Sequence, residues 1–365
     1  MLRKKIIVSV SNDLTNDQRV HRICSSLQNN GYDVLLIGRK LMSSKNIENR
    51  NYKIKRFRLL FNSGFLFYAC LNIRLFFYLL FHKADILLSN DLDTLLGNTL
   101  VAKFKKIKLV YDSHELFTEV PELENFKFKK KLWLKIEKYC IVKTNAAYTV
   151  CSPIAKFYSD KYGIDMKVIR NLPFRKEIII PYEDRKNVLI YQGALNKERG
   201  IELLIQSLQY LPGYELIIAG KGYMENELKT LAGKLELNER ILFTGNLDFS
   251  VLHSITSKAK LGFSIEQGTC LNYYYALPNK LFDYIQAGVP VICSDFPEMK
   301  KIVETYKTGE VFEGFTPEDL SSQILKILNN PQKTKEYYDN CLIAKEILNW
   351  ENEEKILLNI YNNLQ

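Results

Sequence analysis

Two doubly wound α/β domains are the fold this chain predicts, on three observations. Short apolar runs alternate with helical stretches along nearly the whole sequence, which implies parallel sheets with helices on both faces. The series breaks once, between Asn171 and Lys186, where Pro173, Pro181 and several charges intervene. The length, 365 residues, is too great for one ordinary domain and comfortable for two. The expected division is a first domain over 1–175, a second over 186–348 and a terminal segment over 349–365.

The first strand is Ile6–Val10, an apolar run too short for a signal peptide. A helix near Gln18–Asn29 and a strand at Asp33–Ile37 follow. Strand Ile86–Ser89 leads to a helix near Asp93–Lys103 and to strand Lys108–Tyr111, and Ala147–Val150 and Val168–Ile169 close the first series. The second series is Val188–Tyr191, a helix from about Gly200 to Leu208, Glu215–Ala219, Ile241–Phe243, Leu261–Ile265 and Val289–Cys293. Trp350–Gln365 has roughly helical apolar spacing. In sheets of this kind ligands sit outside the C-terminal strand ends, so the polar residues there are the candidates for function.

Composition bounds the class. Apolar content of 47% and charged content of 25% suit a soluble globular protein. The seven cysteines are scattered, with no Cys-x-x-Cys pair, which argues against a disulfide framework or zinc site and fits a reducing cytosol. The net charge of +10 is uneven: residues 1–175 hold 31 Lys and Arg against 15 Asp and Glu, a net of +16, and the remainder nets −6. The first domain therefore suits an anionic surface, lipid or nucleic acid.

Two stretches bear on that surface. Leu59–Phe81 carries Arg74 as its one charge after Arg58 and is long enough to span a bilayer. Arg74, Asn62, Asn72 and Gly64 lie within it, and expected strands flank it, so an interfacial helix or a buried core helix fits better than a span. Phe126–Lys135 interleaves lysines with Phe126, Phe128 and Trp133, a mix suited to anionic headgroups or to stacked single-stranded nucleic acid.

The most informative stretch is Leu277–Asp295. Pro278 suits the first position of a helix, Gly288 its left-handed end and Pro290 prevents a restart. Lys280 and Asp283 fall three apart, on one helix face. A cation beside a helix N-terminus binds phosphate, and a carboxylate one turn in accepts hydrogen bonds from a ribose diol. Asn279 lies beside them. The unit reads as a holder of a nucleoside diphosphate.

The segment resembles the donor-site signature of retaining family 4 glycosyltransferases of the GT-B architecture, two Rossmann-like domains facing a central cleft. In that family an acidic residue five before the Gly of a Gly-x-Pro turn holds the ribose of a sugar nucleotide, and Asp283 matches it. Many members have a Glu eight residues earlier, where this chain has Tyr275; Glu266 is the candidate replacement. The resemblance further implies donor contacts at Gly193, at Arg199 in Gly193-Ala-Leu-Asn-Lys-Glu-Arg-Gly200, and at Gly222 in Gly220-Lys-Gly222. Ala194 stands where many members have Arg. Ile241–Gly245 is similar to the strand and turn whose backbone contacts the base.

In the first domain, Tyr111-Asp-Ser-His-Glu115 ends a strand. The resemblance places His114 near the reacting carbon; an interior histidine is the competing reading. Asp112 and Glu115 either orient it or bind acceptor hydroxyls. The loop Ser11–Arg19 lies on the acceptor side in this architecture and offers Asp13, Asp17 and Arg19; Arg19 reaches a phosphate or lies on the helix surface. One carboxylate of Asn90-Asp-Leu-Asp93 is expected to cap the next helix. The Asp91-Leu-Asp93 spelling of metal-dependent transferases falls in the wrong domain, so no metal and no cofactor is expected.

The implied function is transfer of a sugar from a nucleoside-diphosphate sugar to a saccharide or lipid-linked acceptor, in cell-surface polysaccharide assembly. The expected location is cytoplasmic, on the inner face of the membrane through Leu59–Phe81 and Phe126–Lys135, without nucleic acid. A sugar-nucleotide epimerase or a non-catalytic subunit of the same fold are the alternatives.

Overall fold

The structure, a computed structural model, describes residues 3–15, 17–47, 50–120, 123, 126–268 and 270–364. Met1 and Gln365, the outer limits of the expected domains, lie outside the described residues. The chain divides into two compact units, Met1–Asn171 with Asn352–Gln365, and Leu172–Glu351.

The first unit is built on a parallel sheet of seven strands: β1 (Lys5–Ser9), β2 (Asp33–Arg39), β3 (Lys53–Phe57), β4 (Ile86–Asn90), β5 (Lys108–Ser113), β6 (Ala146–Thr149) and β7 (Met166–Val168), in the order β3-β2-β1-β4-β5-β6-β7. The second has six parallel strands: β8 (Val188–Gln192), β9 (Glu215–Ala219), β10 (Ile241–Gly245), β11 (Leu261–Ser264), β12 (Val291–Ser294) and β13 (Gly309–Phe312), in the order β10-β9-β8-β11-β12-β13. In each sheet the order reverses beside the first strand, at β1/β4 and at β8/β11. These are the places where a doubly wound sheet opens a crevice for ligands. Both central strands are buried along their length apart from Lys5, as expected for strands covered on both faces.

The edge strands β3 and β13 are absent from the pattern read in the sequence. Lys-Ile-Lys-Arg-Phe alternates exposed and covered residues at a sheet edge, and Gly-Glu-Val-Phe is only four residues long. Neither makes an apolar run. β12 begins at Val291 rather than Val289, because Pro290 has no N–H to give to the ladder.

Residues 172–185 pack with the second unit. The Arg185 guanidinium is buried and donates to the carbonyls of Ile180, Ala259, Ala287 and Gly288. The final helix, Trp350–Asn362, starts in the second unit, where Trp350 N–H donates to the Pro173 carbonyl at 2.8 Å. From Asn352 it belongs to the first, where Glu353 accepts from Arg170 N–H at 2.9 Å and from its guanidinium at 2.8 and 2.7 Å.

The helix Gly64–Phe81 buries one stripe, Phe67, Leu71, Leu75 and Leu79, spaced by one turn. It packs closely on the helix Leu92–Lys105. Gly97 there donates its N–H to Asn72 Oδ1 at 2.9 Å, and a Cβ on Gly97 would lie 3.0 Å from the Asn72 carbonyl oxygen. This stripe is core; the opposite face, including Phe65, Leu66, Ile73, Phe77 and Phe81, stays exposed.

Candidate functional site

In the second unit the candidate residues gather at the β8/β11 switch point. The helix Asn279–Gln286 is anchored there by Tyr284, whose ring fills the space a Cβ on Gly262 would take, 2.7 Å from its Cγ. Its hydroxyl donates to the Phe263 carbonyl at 3.1 Å and accepts from Gln192 N–H at 3.1 Å. Pro278 is the N-cap rather than the first helical residue, with φ −67° and ψ 140° in the extended region. At the other end Gly288 takes φ +63°, the left-handed exit that glycine adopts without strain.

This anchoring aims Asp283 at the end of β8. Asp283 accepts from Gln192 Nε2 at 2.9 Å, and Gln192 Oε1 in turn accepts from Thr256 at 2.8 Å. Lys176 Nζ lies 3.8 Å from the other carboxylate oxygen. Asp283 is only partly buried, and Asn279 is exposed at the helix start.

Lys280 and Glu266 form a buried ion pair at 2.7 Å, the lysine 8% and the glutamate 4% exposed. Ser264 Oγ donates to the other carboxylate oxygen at 2.9 Å. Burial pushes Glu266 up, but Lys280 and Ser264 outweigh it and hold the carboxyl below its ordinary value. Burial likewise depresses Lys280, and Glu266 and Tyr191 more than restore it. The ammonium sits 4.1 Å from the centroid of the Tyr191 ring, a cation–π contact. A Cβ on Gly193 would lie 3.6 Å from Lys280 Nζ, an ordinary contact, and the ammonium beneath the turn is buried. Arg199 stacks on Tyr273 at 4.9 Å, and its Nε is buried without a hydrogen-bond partner.

The glycine turns serve the packing of loops. A Cβ on Gly220, at φ +148°, would lie 1.8 Å from the Gly193 carbonyl oxygen. One on Gly222 would lie 2.1 Å from that of Leu195. Gly222, expected among donor contacts, lets one strand-end loop rest on its neighbour.

In the first unit, His114 lies between two carboxylates, with Nε2 3.1 Å from Asp112 and Nδ1 3.3 Å from Asp91. Asp91 also accepts from His114 N–H at 2.8 Å. Asp112 is fully buried and accepts from Arg19 Nε at 3.0 Å and Nη2 at 2.8 Å. Burial would lower His114, but Asp91 and Asp112 hold it up to about 10. It is an imidazolium at neutral pH, with both ring nitrogens donating. Burial raises Asp91 to about 6 and Asp93 to about 7.

Several expectations change here. Arg19 lies neither on the helix surface nor open to a phosphate; it is buried and spends its donors on Asp112 and on the Ile169 carbonyl at 2.8 Å. Asp17 caps the helix Gln18–Asn29 by accepting from Val20 N–H at 3.0 Å and also accepts from Asn12 at 2.7 Å. Asp13 accepts from Thr15 N–H within its loop and from Ser44, beyond β2. Asp91 occupies the N-cap position of the next helix, but φ +56° carries its side chain to His114 instead of a capping bond. Glu115 is half-buried beyond the strand end. Asp91, Gln192 and Tyr191 were missed as site-shaping residues; each acts through a partner distant in sequence. Among the described residues no three His, Cys, Asp or Glu side chains gather as a metal-ligand set.

Two family models match the chain, Glycosyltransferase Family 4 over residues 17–172 and Glycosyl transferases group 1 over 175–341. With two Rossmann-like parallel-sheet units and these matches, the chain is a glycosyltransferase of the GT-B fold. More narrowly, the paired matches, each over less than half of the chain, support a family 4 type glycosyltransferase. An uncharacterized glycosyltransferase of Methanocaldococcus jannaschii, MJ1069, is 25% identical over 92% of this chain and 91% of its own length. Chitobiosyldiphosphodolichol beta-mannosyltransferase of Yarrowia lipolytica is 26% identical over 41% of this chain and 30% of its own length. Among solved structures, sucrose-phosphate synthase from Thermosynechococcus elongatus superposes with a TM-score of 0.80 at 16% identity, covering 99% of both chains. Anabaena HepE, solved in complex with UDP and glucose, superposes at 0.78 and 15% identity, again over 99% of both. These structural likenesses concern the fold.

Proposed function

We propose that this glycosyltransferase uses a nucleoside-diphosphate sugar, holds its ribose on Asp283, and transfers the sugar with retention of configuration to a saccharide or lipid-linked acceptor in cell-surface polysaccharide assembly. One observation carries the donor reading: a partly open carboxylate, fixed by Gln192, stands one turn along a helix from a lysine whose ammonium faces a bare glycine turn. The helix positions a ribose acceptor and a phosphate cation together. Lys280 and Arg199 answer the charge of the leaving diphosphate, so activity undiminished by a chelator is expected. Glu266 keeps Lys280 charged and in place and is the carboxylate available where Tyr275 offers none. His114, doubly protonated, spends both ring N–H groups on Asp112 and Asp91; its part is electrostatic and not that of a general base. HepE, solved with UDP and glucose, gives the nucleotide class a precedent.

The same proposal places the enzyme in the cytoplasm on the inner membrane face. The helices Gly64–Phe81 and Lys127–Ile141 meet where the half-buried Tyr68 and Trp133 make an edge contact at 5.2 Å. Trp133 also packs on Phe117 at 5.0 Å and is half-buried between these elements. Phe128, 82% exposed, and its flanking lysines are the headgroup anchor.

Thermal melting with UDP, GDP and their sugar conjugates tests the donor site, because a ligand of the native state raises the melting temperature. Asp283→Ala should weaken binding about tenfold to a hundredfold, the worth of hydrogen bonds to a charged group. A panel in which no nucleotide shifts the melt, or an Asp283→Ala protein that keeps the full shift, overturns the reading.

A further inference from the structure

A second pocket, of about 600 Å³, opens at the ends of β11, β12 and β13. Its size is that of a small-molecule site. Glu266 lines it, with Asp295 and Glu313 on its walls, and no lysine or arginine is among its described lining residues. Two of these carboxylates are paired, Glu266 with Lys280 at 2.7 Å and Asp295 with Lys300 at 2.9 Å. The three carboxylates do not gather as a metal set. Phe296, Phe312 and Phe315 supply the apolar surface.

The backbone beneath the aromatic wall is tied down. Phe315 is 92% exposed, yet its N–H donates to Asp319 at 3.2 Å inside the capping box that starts the helix Pro317–Leu328. Gly314 before it leaves no room for a side chain, since a Cβ would lie 2.6 Å from that of Asp319. Phe296 is wedged against Gly268, where a Cβ would lie 2.8 Å from its Cζ. An exposed ring beside carboxylates suits a sugar: the C–H face of the pyranose stacks on the ring, and its hydroxyls donate to the carboxylates.

We infer that this pocket is a second saccharide site, taking a neutral sugar unit separately from the nucleotide held by Asp283 and Lys280. The inference rests on the chain being a glycosyltransferase and not on the role of Asp283. Saturation-transfer NMR on the full chain with excess UDP tests it, using methyl α-glucoside, methyl α-galactoside, methyl α-mannoside and N-acetylglucosamine as probes. At least one probe should bind with UDP present. Phe315→Ala should weaken it about three- to tenfold, the worth of one stacked ring, and Glu313→Gln should weaken it too. The melting temperature of Phe315→Ala should stay unchanged, because the ring is exposed. No bound probe, binding that UDP abolishes, or binding that Phe315→Ala leaves intact overturns the inference, and none of these bears on whether Asp283→Ala loses nucleotide.

Discussion

Lys280 is a buried charge answered by one carboxylate, and that arrangement makes its removal costly. Lys280→Met leaves Glu266 buried and unpaired, which should destabilise the second unit by about 3–5 kcal/mol. Replacing both partners, as in Lys280→Met with Glu266→Leu, should recover most of that loss in denaturant titration while the nucleotide-induced melting shift stays absent. A double variant as unstable as the single one would show that the pairing is not what stabilises the site. His114 gives a pH signature. Its folded pKa, about 10, lies above the ordinary imidazole value. Its contribution to stability is therefore full below about pH 6.5 and is lost as pH rises toward 10. The stability advantage of the wild type over His114→Gln should shrink across that interval; an advantage constant with pH would remove the imidazolium from the account. At this scale helix spacing put Lys280 and Asp283 on one face, and Glu266 stood out only as a carboxylate at a strand end, whose pairing with Lys280 the structure adds. The sequence did not show Asp91 or Gln192, whose partners are set by strand register and lie 23 and 91 residues away.

Elements were legible where they carry a long apolar run and obscure where they lie at an edge. β8 and β11 stood out because central parallel strands are buried on both faces, whereas β3 and β13 pair on one side and read as polar segments. The glycine turns were legible as turns, but their reason was not: the backbone of one loop rests on that of the next. Gly220→Ala tests this. The new Cβ would meet the Gly193 carbonyl oxygen at 1.8 Å and require φ +148° of an L-residue. Clash and strain together should cost at least about 3 kcal/mol and lower the melting temperature. Gly213→Ala, at φ +81° but in open space, should cost only about 1 kcal/mol. Equal losses for the two would mean that backbone conformation alone, and not the close approach of loops, requires the glycine.

At the scale of the whole molecule, charge and apolar surface coincide in the first half of the chain. Residues 1–175 carry a net charge of +16, and the exposed side of Gly64–Phe81 presents Phe77 and Phe81, the latter 77% exposed, with Leu60 and Phe61 nearby in sequence and exposed as well. The sequence left a core helix and an interfacial helix as rival readings, since composition cannot say how many faces of a helix are covered. The structure divides the helix between them, with Phe67, Leu71, Leu75 and Leu79 in the core and the opposite face outside. A monomeric surface seldom leaves so many large apolar side chains together without a partner. Anionic lipid fits both terms, the rings entering the interface and each nearby lysine or arginine adding about 1 kcal/mol. Flotation with vesicles of phosphatidylglycerol and phosphatidylcholine should show binding that falls from low to high salt as screening shortens from about 10 Å to about 3 Å. The double substitution Phe77→Ser, Phe81→Ser leaves the buried stripe untouched, so it should reduce binding at every salt concentration without lowering the melting temperature. Binding to pure phosphatidylcholine as strong as to the anionic mixture would remove the basic residues from the mechanism, and no binding to either would remove the membrane.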